Sequence, residues 1–149
     1  MRETITAALK AATKAQDKRR ISTLRLVSAA IKDRDIAART AGKSEATDAE
    51  LLELFAKMIK QREESEKIYA NAGRPELAKQ ESEEITIIRE FLPVQLSEKE
   101  VEKAIAAAIA ETGAASIKDM GKVMAALKAR YAGQMDFAKA SALVKTKLG

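Results

Sequence analysis

The sequence contains no cysteine, no histidine and no tryptophan, and only two Tyr and three Phe among its 149 residues. Without cysteine no disulfide framework is possible, so nothing marks the chain as secreted. The joint absence of cysteine and histidine excludes thiol nucleophiles, histidine-based triads and Cys/His zinc sites. Any catalysis would therefore depend on carboxylates, lysines or hydroxyl groups.

Residues that break helices are also scarce, since six Gly and two Pro stand against 30 Ala. Alanine, leucine, glutamate, lysine and arginine are strong helix formers, so the composition predicts an all-α protein. No apolar stretch approaches the roughly 20 residues that span a bilayer, and the N-terminus does not resemble a signal peptide. We therefore expect a cytoplasmic protein with no membrane contact.

The net charge of +5 is unevenly distributed. Residues 1–43 carry a net charge of +7, residues 44–92 a net charge of −5, and residues 93–149 a net charge of +3. Basic segments of this kind attract nucleic acid or an acidic partner. The alternative is that both signs of charge only solvate the helix surfaces.

Caps and helix breakers predict seven helices. Thr47 with Glu50, and Ser97 with Glu100, form capping boxes that begin the third and fifth helices. Asp17, Ser116 and Asp136 are predicted N-caps of the second, sixth and seventh helices. The predicted helices lie within residues 3–16, 18–39, 47–71, 75–92, 97–113, 116–133 and 136–149.

The segment from Leu92 to Ser97 is the best domain boundary, because it contains Pro93 and separates longer helices from shorter ones. We predict an N-terminal helical domain of residues 1–92 and a linker of residues 93–96. A small three-helix domain would then occupy residues 97–149.

Polar residues interrupt the apolar stripes of the third and fourth helices. Folding these helices into a hairpin about Gly73 sets Arg62 near Glu84, with Glu81 close by. One interpretation is a partly buried structural ion pair that fixes the register of the hairpin. The alternative is an acid–base site formed by Glu81 and Glu84.

No stronger catalytic motif is present, and we expect no catalytic residue, metal site or cofactor. The sequence lacks a glycine-rich phosphate-binding loop. A Ser141–Lys145 pair has a possible spacing for catalysis but is typical of ordinary helix surface. The acidic clusters at Asp33/Asp35 and at residues 63–66 are interpreted as solvated faces rather than magnesium sites.

Lysines and arginines form the most interesting candidate sites. Lys18-Arg19-Arg20, with Lys10, Lys14 and Arg25, is a candidate basic face near the start of the second helix. In the C-terminal segment the candidate nucleic-acid-binding residues are Lys118, Gly121, Lys122, Lys128, Arg130 and Lys139. Lysines bind phosphate without base specificity, and the scarcity of aromatic residues argues against recognition by base stacking.

Gly121 alone among the glycines falls inside a predicted helix, where glycine costs about 1 kcal/mol relative to alanine. Such a residue needs a reason. We expect the close approach of either another backbone or a ligand at this position.

Several segments, in order, resemble the bacterial YqeY-like proteins over nearly the whole chain. The segments are 23–26, 29–32, 57–65, 72–74, 76–78, 91–97 and 118–124, together with Tyr69, Glu81 and Glu84-Ile85. The resemblance implies an all-α fold with an N-terminal helical bundle and a three-helix C-terminal domain. It also implies a tail shared with the GatB subunit of the tRNA-dependent amidotransferase.

In GatB this tail is implicated in holding tRNA, while the transfer of the glutamine amide takes place elsewhere. The resemblance therefore points to carbon–nitrogen ligation with glutamine as amido donor, but supplies no catalytic site to this chain. The shared tail motif falls on Gly121, Lys122, Met124, Gly133 and Asp136. The turn Gly133–Asp136 departs from related tails because it lacks their basic residue.

We interpret the protein as a non-catalytic helical module that binds tRNA or a tRNA-amidotransferase-type complex. The alternative is a protein–protein interaction adaptor with no role in RNA binding. A stand-alone enzyme is the third possibility.

Overall fold

A computed structural model describes all 149 residues, and every regular element in it is helical. The predicted all-α class and the seven α-helices are confirmed. The helices are α1 (Arg2–Ala15), α2 (Lys18–Thr40), α3 (Asp48–Asn71), α4 (Pro75–Arg89), α5 (Glu98–Thr112), α6 (Met120–Tyr131) and α7 (Phe137–Leu148). None of these helices combines the length and the apolar character needed to cross a bilayer.

Local side-chain caps determine where several of the helices begin. The Asp17 carboxylate accepts a hydrogen bond from the Arg20 backbone N–H at 3.1 Å, and the Asp136 carboxylate accepts one from Ala138 at 2.9 Å. Both predicted capping boxes are formed, at Thr47 for α3 and at Ser97 for α5. These bonds satisfy N–H groups that the first turn of a helix leaves without partners.

Two helix boundaries differ from the prediction by three residues or more. Helix α4 ends at Arg89 rather than at Leu92, because the last backbone bonds tighten to the i to i+3 pattern, as in Phe91 N–H to Ile88 at 3.0 Å. Ser116 precedes a short 3₁₀ turn, Ile117–Asp119, and α6 begins only at Met120. The Asp119 carboxylate stabilises this turn by accepting from the Ala115 N–H at 3.0 Å.

The contacts divide the chain into two compact units, Met1–Leu92 and Pro93–Gly149. The first unit contains α1 to α4. Its largest fully buried side chains are those of Phe55, Ile5, Leu24, Leu51, Ile88 and Val27. Burying each of these side chains contributes about 1.5–3 kcal/mol, so this core is the main source of stability in the unit.

The second unit has its own core, formed where α5, α6 and α7 meet. Its fully buried side chains are those of Ile105, Val123, Leu127, Ala140 and Val144. Gly113 ends α5 in the left-handed conformation, with φ +65°, which glycine adopts at no steric cost. Each of the three short helices thus buries one apolar stripe in the core of the second unit.

A polar link that the sequence did not predict joins three parts of the first unit. The Arg2 guanidinium contacts the Asp35 carboxylate at 2.6 Å and the Ala46 carbonyl at 2.8 Å. Asp35 in turn accepts a hydrogen bond from the Ala46 N–H at 2.8 Å. These bonds hold the start of α1, the last third of α2 and the loop before α3 together.

Asp35→Asn should lower the thermal stability of the first unit, because it removes the charge that pairs with Arg2. The Arg2 and Ala46 hydrogen bonds hold the pKa of Asp35 below its ordinary value. The stabilisation that the ionised Asp35 contributes is therefore fully present above its ordinary pKa. It is lost as the pH falls through the lowered pKa that Asp35 has in the folded state. Thermal unfolding should show a larger deficit at pH 7 than at pH 2.5. Asp33→Asn, an exposed neighbour, is the control, and an equal loss in both variants would contradict the link.

Candidate nucleic-acid interface

The α3–α4 hairpin brings Arg62 and Glu84 together. The Arg62 Nε lies 3.0 Å from the Glu84 Oε2, and Arg62 also donates to the Met58 carbonyl at 3.1 Å. The two side chains are only 14% and 9% exposed, respectively. With its apolar neighbours Met58 and Ile88 buried beside it, this is the geometry of an internal register pair rather than of an open site.

Glu81 lies beside this pair without a hydrogen bond to Arg62. Burial raises the pKa of Glu81, the Glu84 carboxylate raises it further, and Arg62 partly opposes the shift. Of the three residues predicted for the ion pair, Arg62 and Glu84 are therefore in contact. Glu81 lies at the edge of the pair, where its ionised form is destabilised.

Two members of the candidate basic face on α2 form ion pairs within the first unit. Arg19 pairs with Glu83 at 3.1 Å, and Arg20 pairs with Glu90 at 2.6 Å. Both glutamates belong to α4 or its end, so these arginines join α2 to the hairpin. Sequence analysis missed these pairs because 64 and 70 residues separate the partners. Lys10, Lys14, Lys18 and Arg25 remain exposed.

The outer face of α6 combines small residues with lysines. Gly121, Ala125 and Ala129 are exposed and recur every four residues, so they form one stripe along the helix. Lys122 and Lys128 are exposed on either side of this stripe, and Lys118 precedes it in the 3₁₀ turn. We call these six residues the α6 surface. Val123 and Leu127, on the other face of the helix, are fully buried.

Gly121 lies in open space on the α6 surface. It is the second residue of α6, because the 3₁₀ turn takes up the preceding residues. A Cβ atom added to it would have no neighbouring atom within 4 Å, and its φ is not positive. The expected close approach of another backbone of this chain is therefore wrong. The approach of a ligand stays a prediction.

A carboxylate belongs to the same neighbourhood as the lysines. The backbone N–H groups of Ala115 and Ser116 lower the pKa of Asp119, and the nearby Lys122 charge acts in the same direction. Asp119 is therefore ionised at neutral pH and fixed by the turn. Its hydrogen bonds direct it toward the backbone of residues 115 and 116, which leaves the lysines as the solvent-facing charges.

The remaining two candidate residues do not join the α6 surface. Arg130 pairs with Glu111 of α5 at 2.9 Å, in an exposed contact of a kind that contributes about 0–1 kcal/mol. Lys139 lies on α7 and lines a cleft to which no residue of α6 contributes. The structure thus brings together Lys118, Gly121, Lys122 and Lys128, and separates Arg130 and Lys139 from them.

These features define a class of small all-helical protein whose second unit displays lysines on a short central helix. The family model described as Yqey-like protein matches residues 2–148. Since this match covers essentially the whole chain, the protein belongs to the YqeY-like family. No curated protein shows a significant match to the sequence.

Arg62→Met should destabilise the first unit by about 3 kcal/mol, because it leaves the buried Glu84 carboxylate without a partner. The double variant Arg62→Met/Glu84→Met should recover most of this loss, since it removes both charges. Urea unfolding of the two single variants, the double variant and the parent completes the cycle. Additive effects of the two single substitutions would contradict a coupled pair.

Gly121→Ala should raise the free energy of unfolding by about 0.5 kcal/mol, because alanine favours helix and no atom obstructs its methyl group. Chemical denaturation of the full chain measures this gain. Gly113→Ala is the control and should destabilise, since Gly113 has a positive φ. A loss of stability in Gly121→Ala would show that packing within the chain requires this glycine.

Proposed function

We propose that this protein is a non-catalytic helical module of the bacterial cytoplasm that binds tRNA through the α6 surface. The observation that carries the proposal is the exposed small-residue stripe with lysines on both sides and a glycine that no internal contact requires. Membership of the YqeY-like family supports it through the GatB-tail resemblance. The proposal assigns binding to the second unit and no chemistry to the chain.

The α6 surface has the properties that a sugar–phosphate backbone requires. Small residues let the backbone come close to the helix, while the flexible Lys122 and Lys128 side chains reach phosphates on either side. Lysine binds phosphate as a point charge and reads no base edge. With two Tyr and three Phe in the whole chain, stacking platforms are scarce. Recognition would therefore follow the shape of the RNA rather than its sequence.

A module that binds tRNA without catalysing a reaction needs a partner protein that supplies the chemistry. By resemblance to the GatB tail, we propose a tRNA-amidotransferase-type complex, in which glutamine donates the amide and the chemistry belongs to the partner. The chain would then present or retain tRNA beside that partner. A protein–protein adaptor without RNA binding is the competing proposal, and an absence of tRNA binding at low salt would favour it.

Binding of unfractionated tRNA at 50 and 200 mM salt tests the proposal. Each neutralised phosphate steepens the dependence of affinity on salt, so binding should weaken strongly at the higher concentration. Lys122→Glu/Lys128→Glu should lower affinity at least tenfold and reduce the logarithmic salt slope by about two. Fluorescence anisotropy with labelled tRNA gives both quantities.

The matched control is Lys57→Glu/Lys67→Glu, which changes the net charge equally on exposed positions of α3. This control should retain at least half of the parent affinity. Equal losses of affinity in the two double variants would show that the change in net charge alone weakens binding. That result would contradict a site on α6. Circular dichroism of both variants verifies that the helices remain folded.

A further inference from the structure

The second unit contains a cleft that the proposed tRNA surface does not use. It lies between the first turns of α5 and the first half of α7, and its volume is about 560 Å³. Its lining residues include Leu96, Val101, Met135 and Leu143 as apolar members, and Glu98, Glu102, Asp136 and Lys139 as charged ones. No residue of α6 contributes to it, so the cleft and the α6 surface are separate.

Hydrogen bonds within the unit preform one end of this cleft. The Leu96 N–H donates to the Gln134 carbonyl at 2.9 Å, and the Gln95 side-chain amide donates to the Gly133 carbonyl. Both bonds attach the segment before α5 to the turn before α7. Met135, which follows this turn, is 6% exposed and forms a buried part of the lining. The cleft therefore does not depend on an incoming ligand to bring its walls together.

Apolar surface remains uncovered at the mouth of the cleft. Leu143 on α7 is 38% exposed, and Leu96 and Val101 are half-buried around it. A single exposed leucine is ordinary in a protein surface. Here the exposed leucine lines a concave site together with other apolar side chains, which is the arrangement that accepts an apolar side chain from outside.

The rim of the cleft is acidic although the unit as a whole is basic. Residues 93–149 contain nine Lys or Arg and six Asp or Glu. Three of those six carboxylates, Glu98, Glu102 and Asp136, line the cleft, against the single ammonium group of Lys139. Glu98 and Glu102 are exposed and stand one turn apart on α5, so both belong to the same wall.

We propose that this cleft binds a basic amphipathic helix from a partner protein. Apolar side chains of that helix, spaced three or four residues apart, would occupy the surface around Leu143 and Val101. Lysines or arginines beside them would face Glu98 and Glu102. The charge complementarity favours this occupant, because carboxylates at the rim repel phosphate and therefore disfavour both RNA and anionic lipid.

The inference extends the proposed function without resting on it. The α6 surface and the cleft carry opposite charges and share no residue. Reversal of charge at one site should leave the other unchanged. The two proposals therefore fail independently.

A pair of synthetic 18-residue helical peptides tests the cleft. One peptide has leucines at i, i+3, i+4 and i+7 with lysines elsewhere, and the other has glutamates in place of the lysines. The full chain should bind the leucine–lysine peptide at micromolar concentration in isothermal titration calorimetry and the leucine–glutamate peptide at least tenfold more weakly. Glu98→Lys/Glu102→Lys should weaken the first peptide at least tenfold.

Two further variants separate the contributions of charge and apolar contact. Leu143→Gln should weaken the leucine–lysine peptide at least fivefold while retaining the rim charge. The control Glu53→Lys/Glu64→Lys reverses two exposed glutamates of α3 and should bind like the parent. Lys122→Glu/Lys128→Glu should also bind the peptide like the parent.

Three outcomes of the peptide titrations would overturn the proposal. They are equal affinity for the two peptides, equal weakening by the α3 control, and no binding of the leucine–lysine peptide to the folded chain. Sedimentation of the free chain up to 200 μM provides a further measurement. Self-association that Glu98→Lys/Glu102→Lys abolishes would identify a second copy as the occupant and would likewise overturn it.

Discussion

The α3–α4 hairpin of the first unit has a register in which Arg62 and Glu84 pair away from solvent. A slip of one residue would rotate each contact by about 100° around the helix and leave a carboxylate buried without its partner. In this register, α4 presents Glu83 toward Arg19, and its end presents Glu90 toward Arg20. These ion pairs supplement the apolar core, in which Val27 and Ile31 of α2 are buried with Phe55 and Ile88 of the hairpin.

Part of the uneven charge of the sequence is balanced inside the first unit. Residues 1–43 are strongly basic and residues 44–92 acidic, and several ion pairs connect the two segments. These pairs are Arg2–Glu45, Arg19–Glu83, Arg20–Glu90 and Lys43–Glu50. These four basic residues of the N-terminal segment are consequently a structural complement to the acidic segment. The lysines of α6 form no ion pair of this kind, which is why the second unit displays its charge to solvent.

Features that depend on neighbouring residues could be predicted from the sequence, and features that depend on distant residues could not. The caps at Asp17, Thr47, Ser97 and Asp136 are determined within three residues of chain, so the starts of their helices were predictable. The Arg62–Glu84 contact was also predictable, because a short turn limits the hairpin to few registers. The Arg2–Asp35–Ala46 link joins segments with no pattern in common, and the acidic cleft exists only once α5 and α7 are placed side by side. The environment of Gly121 could not be predicted either, because the sequence does not show whether other atoms surround a glycine.

The bonds from Gln95 and Leu96 to the turn before α7 join parts of the second unit that are far apart in the sequence. They attach the entering chain to a segment 38 residues further along, rather than to the helix that follows it directly. The loop that they close contains the whole of α5 and α6. Closing a long loop costs conformational entropy, whereas a helix cap forms within a few residues of chain. The cleft is therefore a long-range feature of the unit, which local helix signals alone do not build.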